Sequence, residues 1–393
     1  MGSPPISADM ALLVVSAAPA GRHDGKLLLD RKFVEGMCLY ATSWNDRVGC
    51  LLPEDSRPQP FGKVFDTASL PFETRLHPAG RPVMAGDLEG YDLVLCSGDS
   101  DQYLHLAEIC RRAGKTILFT IEYIPETRRQ IVMLDPVKSL PRKIWSLLHI
   151  QKNERRRRQA FAQAAGLQAN GFPAADHYRK INPEILMYLD NRIDASLLAT
   201  PSDMARRRDR LLSGDPVRLI HSGRLEPMKG SQDLVPFARR LQDKQVNFFL
   251  DIFGSGSLEE TIRVEISKAG LQDRVRLHGS VDFAGELVPF ARSNSDIYLS
   301  CHRQSDPSCT YLESMGCGLA VAGYANRMWK SLCNKSGAGW AVPVGDGQGL
   351  ADILAGLQRH EIADRCDNAR AFAAAHLFEQ EFEKRIAHFR KLT

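Results

Sequence analysis

Short apolar runs rich in branched residues recur along this chain, separated by polar stretches that suit helices. Before about residue 135 the runs are MALLVVSA, YDLVLCS and KTILFTI; after about residue 215 they are VRLIHSG, VNFFLDIFG, VRLHG, SDIYLSC and GLAVAGY. They are continuous rather than alternating, which means burial on both faces, as in a parallel sheet covered by helices. DQYLHLAEICRRAG, residues 101–114, reads as one of the covering helices and ends on a glycine suited to a helix stop. The fold class is therefore α/β, with two doubly wound, Rossmann-like domains facing across a cleft. The pattern predicts a first domain over 1–200, a second over 201–375, and a join near residues 200–216 in the arginine-rich DMARRRDRLLSGDP. Residues 376–393 read as a separate helix, with Phe378, Phe382, Ile386 and Phe389 at helical spacing, free to return to the first domain. Sheets of this kind bind ligands outside the carboxyl ends of their strands, here in the cleft.

Composition narrows the class. A chain of 393 residues exceeds what one hydrophobic core holds, which supports two domains. It is 44% hydrophobic and 25% charged, and no run approaches the roughly 18 to 20 apolar residues that span a bilayer. The opening MGSPPISADM has neither a basic start nor an apolar signal core, so a cytoplasmic location is expected. Nine cysteines without a CxxC pair point to reduced thiols rather than a disulfide frame or a zinc ribbon.

The net charge of +4 is unevenly distributed. Residues 138–158 carry eight Lys or Arg against one acid, Glu154, with Leu140, Ile144, Leu147 and Leu148 on one helical face and Trp145 beside it. Basic flanks with Trp and Leu are the composition of an interfacial helix, so an anionic membrane surface is a candidate partner and the inner face of the membrane a candidate site of peripheral association. A helix packed on its own domain with a solvated arginine run fits the same residues. No nucleic-acid motif accompanies the charge, so no nucleic-acid partner is expected.

Candidate chemistry gathers at the ends of the later strands. SGRLEPMKG, residues 222–230, places Gly223, Arg224 and Lys229 in a strand-to-helix turn, where backbone and cations can meet a diphosphate. DIFGSGS adds Gly254 and Gly256, but lacks the third glycine and the ribose-binding acid of a nicotinamide site. VRLHG ends in His278 and Gly279, and HRQSDPSCTYLESMGCG brings Ser305, Asp306, Ser308, Cys309, Thr310 and Glu313. Cys309 has no histidine in a known signature, which favours small-residue packing over a thiol nucleophile.

Over residues 215–350 the order GRLEPMKG, FGSG, LHG, ESMGCGLAVAGY, SGAGWAVPVGD resembles the carboxy-terminal half of family 4 glycosyltransferases, which have the two-domain GT-B fold. The resemblance implies transfer of a sugar, with retention and without a bound metal or other cofactor, from a UDP- or GDP-linked donor to an acceptor hydroxyl. That acceptor would be a sugar or a lipid-linked, polysaccharide or glycoconjugate precursor. Arg224 and Lys229 match the pair that neutralises the donor diphosphate. Glu313 matches the second of two glutamates spaced eight apart and would hold the donor ribose; a helix-start glutamate complementing the dipole is the alternative. The first glutamate is replaced by Ser305, with Asp306 displaced by one. The stretch Ser308 to Thr310 corresponds to a region that touches diphosphate and sugar.

The amino-terminal half resembles the family only in organisation. AAPAGRHDGK stands where relatives carry a glycine-rich loop, and its Gly21, Arg22 and Lys26 are candidates for acceptor or diphosphate contact. The following LLLDRKFVEGM reads as a helix offering Asp30, Arg31 and Lys32 to the cleft. Where many relatives place a histidine, KTILFTIEYIPETRRQ has Glu122, either a sugar contact or general base or a strand-end acid paired with Arg128 or Arg129. Asp99 and Asp101 end another strand and are candidates to meet an acceptor. A nucleotide-sugar epimerase or hydrolase on the same fold, or a sugar-nucleotide-binding protein without turnover, are the alternatives.

Overall fold

The strands β1 (Leu12–Val15), β4 (Val48–Glu54), β6 (Glu73–Pro78), β7 (Leu93–Ser97), β8 (Thr116–Ile121), β9 (Gly166–Asn170) and β10 (Ile185–Tyr188) pair in parallel in the order β10-β9-β8-β7-β1-β4-β6. A second parallel sheet has the order β13-β12-β11-β14-β15-β16. It is built from β11 (Val217–Ser222), β12 (Phe248–Phe253), β13 (Val275–Gly279), β14 (Ile297–Ser300), β15 (Ala320–Tyr324) and β16 (Gly339–Val342). This is a computed structural model, and it describes residues 10–44, 46–55, 62–135, 137–305 and 307–393. The apolar runs form the central strands because both faces are covered: Leu12, Leu13, Leu93, Val94, Ile297 and Leu299 are fully buried. Strand order reverses between β1 and β7 in one sheet and between β11 and β14 in the other, and each reversal opens a crevice at the carboxyl edge.

Several local expectations change in the folded chain. KLLLD is not helical: it is strand β3 (Lys26–Asp30), paired antiparallel with β2 (Gly21–His23) and β5 (Gly62–Phe65). Leu27 and Leu29 alternate into the core with period two, and Asp30 then accepts from the Phe33 amide to start the helix Arg31–Ser43. The helix within 101–114 covers only Leu106–Arg112.

The chain crosses between domains earlier than residue 200, through the irregular stretch 189–199. The helix Pro201–Leu212 belongs to the second domain, because its buried Arg207 donates to the carbonyls of Ser295, Cys317 and Gly318. The last helix, Phe378–Leu392, packs on the first domain: Phe382, Ile386 and Phe389 join Tyr40 and Trp44 in one core cluster. Its Arg385 donates to Gln168 and to the Tyr40 hydroxyl, and stands 4.5 Å from the Tyr188 ring centroid. At the seam, Thr127 donates to the Ser305 carbonyl at 3.2 Å, and the Ser305 amide donates to Gln130 at 3.0 Å.

The basic segment forms one long helix, Leu140–Gln163, with two characters. Its early turns expose Leu140, Ile144, Trp145 and Leu148, preceded by Val137 at 86% exposure. In its later part Arg157 is not solvated: it is buried, donating to Asp101, Glu154 and the Gly98 carbonyl. Arg157→Ala should therefore cost about 3–5 kcal/mol in chemical denaturation by stranding those partners, while Arg155→Ala should stay within about 0.5 kcal/mol of wild type.

Candidate functional site

The site is built from backbone close-packing at the carboxyl edge of the second sheet. Gly254 has φ +124°, and a Cβ there would fall 1.8 Å from the Gly223 carbonyl oxygen, so the turns after β11 and β12 meet backbone to backbone. Gly230 has φ +70° and presses on the Cys301 carbonyl beyond β14, where again only a hydrogen fits. That contact seats the short 3-10 turn Pro227–Lys229 and turns Lys229 inward. Lys229 is buried, with Nζ 3.5 Å from Ser308 Oγ, and Ser308 Oγ is 2.9 Å from Thr310 Oγ1.

A cavity of about 370 Å3 opens over these turns, lined by Gly223, Arg224, Gly254, Thr310 and Glu313 of the second domain and by Lys32 of the first. Arg224 is exposed at its mouth, its nearest contact Met228 Sδ at 3.9 Å. Glu313, buried at the first turn of the helix Thr310–Gly316, accepts two hydrogen bonds from Arg192, at 2.6 and 3.0 Å. The Arg192 guanidinium also lies 3.7 Å from the Phe283 ring centroid. Burial disfavours that cation, yet the Glu313 carboxylate outweighs burial and the Arg192 pKa is raised. Arg192 comes from the interdomain stretch, 121 positions from its partner, and no local pattern announces it.

Two further histidines are buried at the carboxyl ends of β11 and β14. His221, on β11, is fully buried, with Nδ1 3.0 Å from the Leu299 carbonyl; burial pulls its pKa down to about 4. His302, beyond β14, is driven well below the ordinary value by burial, and the Lys229 charge pushes both histidines the same way. Both rings are neutral at pH 7. The polar end of an apolar strand, VRLIHS, was the only sequence signal for His221.

The remaining expectations fall unevenly. Ser305 lies in the domain seam, not in the cavity, with its hydroxyl accepting from the Arg327 amide. Asp306 is outside the described residues. Gly256 packs against the Leu225 carbonyl, 2.5 Å from where its Cβ would be, and lines no part of the cavity. His278 is held by Asp251 at 2.6 Å and stacks on Phe253 at 4.3 Å, one layer behind the wall. Burial pushes the Cys309 thiol far up, so it is not a nucleophile.

On the first domain, Asp99 is almost wholly engaged in structure. It accepts from the amides of Glu122 and Tyr123 and pairs with Arg128; burial, only partly offset by Arg128, raises its pKa. Arg128 pairs with Asp99, and Arg129 reaches Gln151. Glu122 does not line this cavity; its charge acts on Arg385 and Tyr188. Gly21, Arg22 and Lys26 sit on the β2–β3 hairpin, and Arg22 is exposed and paired with Glu54 at 2.6 Å. The ends of β1, β4, β6 and β7 instead enclose a separate cavity of about 530 Å3 whose walls include Ala17, Asp55, His77 and Tyr103. His77 is buried with Nε2 unpartnered among the described residues, and sequence reasoning passed it over.

Two facing parallel-sheet domains with a cation-lined cavity at the strand ends make up the GT-B glycosyltransferase fold. Residues 203–373 match the family described as Glycosyl transferases group 1. The amylovoran biosynthesis glycosyltransferase AmsK of Erwinia amylovora is 29% identical over 185 residues, covering 44% of this chain and 43% of that protein. The GtfA subunit of the UDP-N-acetylglucosamine–peptide N-acetylglucosaminyltransferase of Streptococcus gordonii is 28% identical over 149 residues, 38% of this chain and 28% of that protein. The chain thus spans less than half the length of either curated relative. Across nearly the whole chain the fold matches Anabaena HepE solved with UDP, with a TM-score of 0.65 at 17% identity, covering 98% of this chain and 100% of that one.

The buried histidines make stability pH-dependent in a defined direction. Their folded pKa values lie below the unfolded value of about 6.5, so their contribution is complete above that pH and is lost as pH falls toward the folded value. The melting temperature should decline between about pH 6.5 and the folded His221 value near 4. In His221→Gln that slope should be shallower, whatever the variant's absolute stability.

Proposed function

We propose that the protein is a retaining glycosyltransferase that moves a sugar from a nucleotide-sugar, UDP- or GDP-linked, to an acceptor hydroxyl. The observation that carries this reading is the cavity at the carboxyl edge of the second sheet lined by Arg224, Thr310 and Glu313, with the buried Lys229 placing Nζ 3.5 Å from Ser308 Oγ, two residues before Thr310. Lys229 and Arg224 offset the charge developing on the departing diphosphate, the largest catalytic term expected in such a site. Glu313, oriented by Arg192, offers its carboxylate to ribose hydroxyls. The acceptor hydroxyl attacks on the face the leaving group departs from, and a diphosphate oxygen takes its proton. This reading asks no proton transfer of Glu122. The HepE structures with UDP and with UDP-glucose support a donor of this class, and AmsK, named for amylovoran biosynthesis, supports a polysaccharide precursor as acceptor.

The same reading includes peripheral docking on an anionic membrane, supported by the exposed Leu140, Ile144, Trp145 and Leu148 beside Arg142 and Lys143. Among the described residues no helix is long and apolar enough to cross a membrane. Each basic side chain near such a surface contributes on the order of 1 kcal/mol, and the apolar face adds burial in the headgroup layer.

Three measurements check these statements. Incubation with a panel of UDP- and GDP-sugars and acceptors should release nucleoside diphosphate only when a matching acceptor is present. By calorimetry, Arg224→Ala and Lys229→Ala should each weaken nucleoside-diphosphate binding by about 1.5–3 kcal/mol; unchanged affinity in both variants removes the donor-site assignment. Wild type should sediment with anionic vesicles at low salt, and Trp145→Ser with Leu148→Ser should stay in solution.

A further inference from the structure

Outside the donor cleft, a cavity of about 360 Å3 lies where the start of the Pro125–Leu134 helix, the middle of the Leu140–Gln163 helix and Arg327 of the second domain meet. Four guanidinium-bearing residues line it: Arg129, Arg155, Arg158 and Arg327. Among the described lining residues two carboxylates, Glu126 and Glu154, stand against them, and Glu154 is hydrogen-bonded through one oxygen, its other lying 3.8 Å from His177. Glu126 holds Arg327 at 2.6 Å across the domain seam. Glu154 accepts from the buried Arg157 at 3.3 Å and from the Tyr178 hydroxyl at 3.1 Å. Arg129 reaches only the Gln151 side chain, at 3.4 Å, and among the described residues Arg155 and Arg158 have no ion-pair or hydrogen-bond partner.

The backbone adds to this imbalance. The Pro125–Leu134 helix opens on the cavity with proline at its first position and no side-chain cap, so its first-turn amides and the positive end of its dipole face the same space. Cations from two helices and from two domains are thus gathered around one concavity, and an anion with several acceptor oxygens would relieve their repulsion. Arginine forks match phosphoryl oxygens two at a time.

We propose that this cavity is a second anion site, separate from the donor site, that takes a phosphoryl group. Its recognition chemistry is shared by a lipid headgroup and a free phosphate. The helix that supplies Arg155 and Arg158 also exposes Leu148, seven residues earlier and so roughly 10 Å along the same axis, which brings the cavity within headgroup reach of a docked membrane. Because Arg327 belongs to the other domain, a phosphoryl group held here also ties the two domains in one relative position.

The test uses the whole protein carrying Arg224→Ala and Lys229→Ala, so that diphosphate binding at the donor cleft does not mask the second site. Inorganic pyrophosphate and monomeric dihexanoyl phosphatidic acid are titrated separately by calorimetry, with and without Arg155→Ser and Arg158→Ser added. We expect binding that weakens roughly tenfold or more when the two arginines are removed, and that is partly restored by Arg155→Lys with Arg158→Lys. Loss for both probes identifies a general phosphoryl site, and loss for the lipid alone identifies a headgroup site. Titrations that do not change on removing the two arginines, or the absence of binding by both probes to their parent, overturn the proposal. Neither result bears on the donor cleft, which is read from nucleoside-diphosphate binding to the wild-type protein.

Discussion

The Arg192–Glu313 pair links the stretch that joins the domains to the helix that closes the donor cavity. A carboxylate this buried needs a partner, and a bidentate guanidinium satisfies it while fixing its direction. Thr310 lies in the same first turn, so the partner that orients Glu313 also sets the cavity's far wall.

Around that pair the cleft separates its tasks by burial. Lys229 is buried near His221 and His302, two histidines that burial keeps neutral. Arg224 stands at the mouth in solvent, where it can move with an arriving donor. The seam itself is polar, made by Ser305 with Thr127 and Gln130 and by Arg327 with Glu126. Polar seams of this kind are compatible with relative domain motion.

The helix 140–163 shows how one charge run can hold several roles. Arg157 is a buried pin between the ends of β7 and the helix, whereas Arg155 and Arg158 point into the basic cavity and the earlier turns present apolar side chains to solvent. Sequence alone gives all four arginines of the run the same weight, because burial depends on which turn of the helix faces the sheet.

The fold class and the glycine-bearing turn 222–230 after β11 were legible in the sequence. Continuous apolar runs force two-sided burial, and Gly254 and Gly230 occupy positions where only glycine fits the backbone contacts. Those signals are local, so they survive without a structure. LLLD was misread because three leucines suit either a helix or a strand until the neighbouring hairpin decides between them. Arg192, His77 and the seam position of Ser305 depend on contacts between residues far apart in the chain. Only the packing of one domain on the other, and of strand ends within each sheet, could decide those.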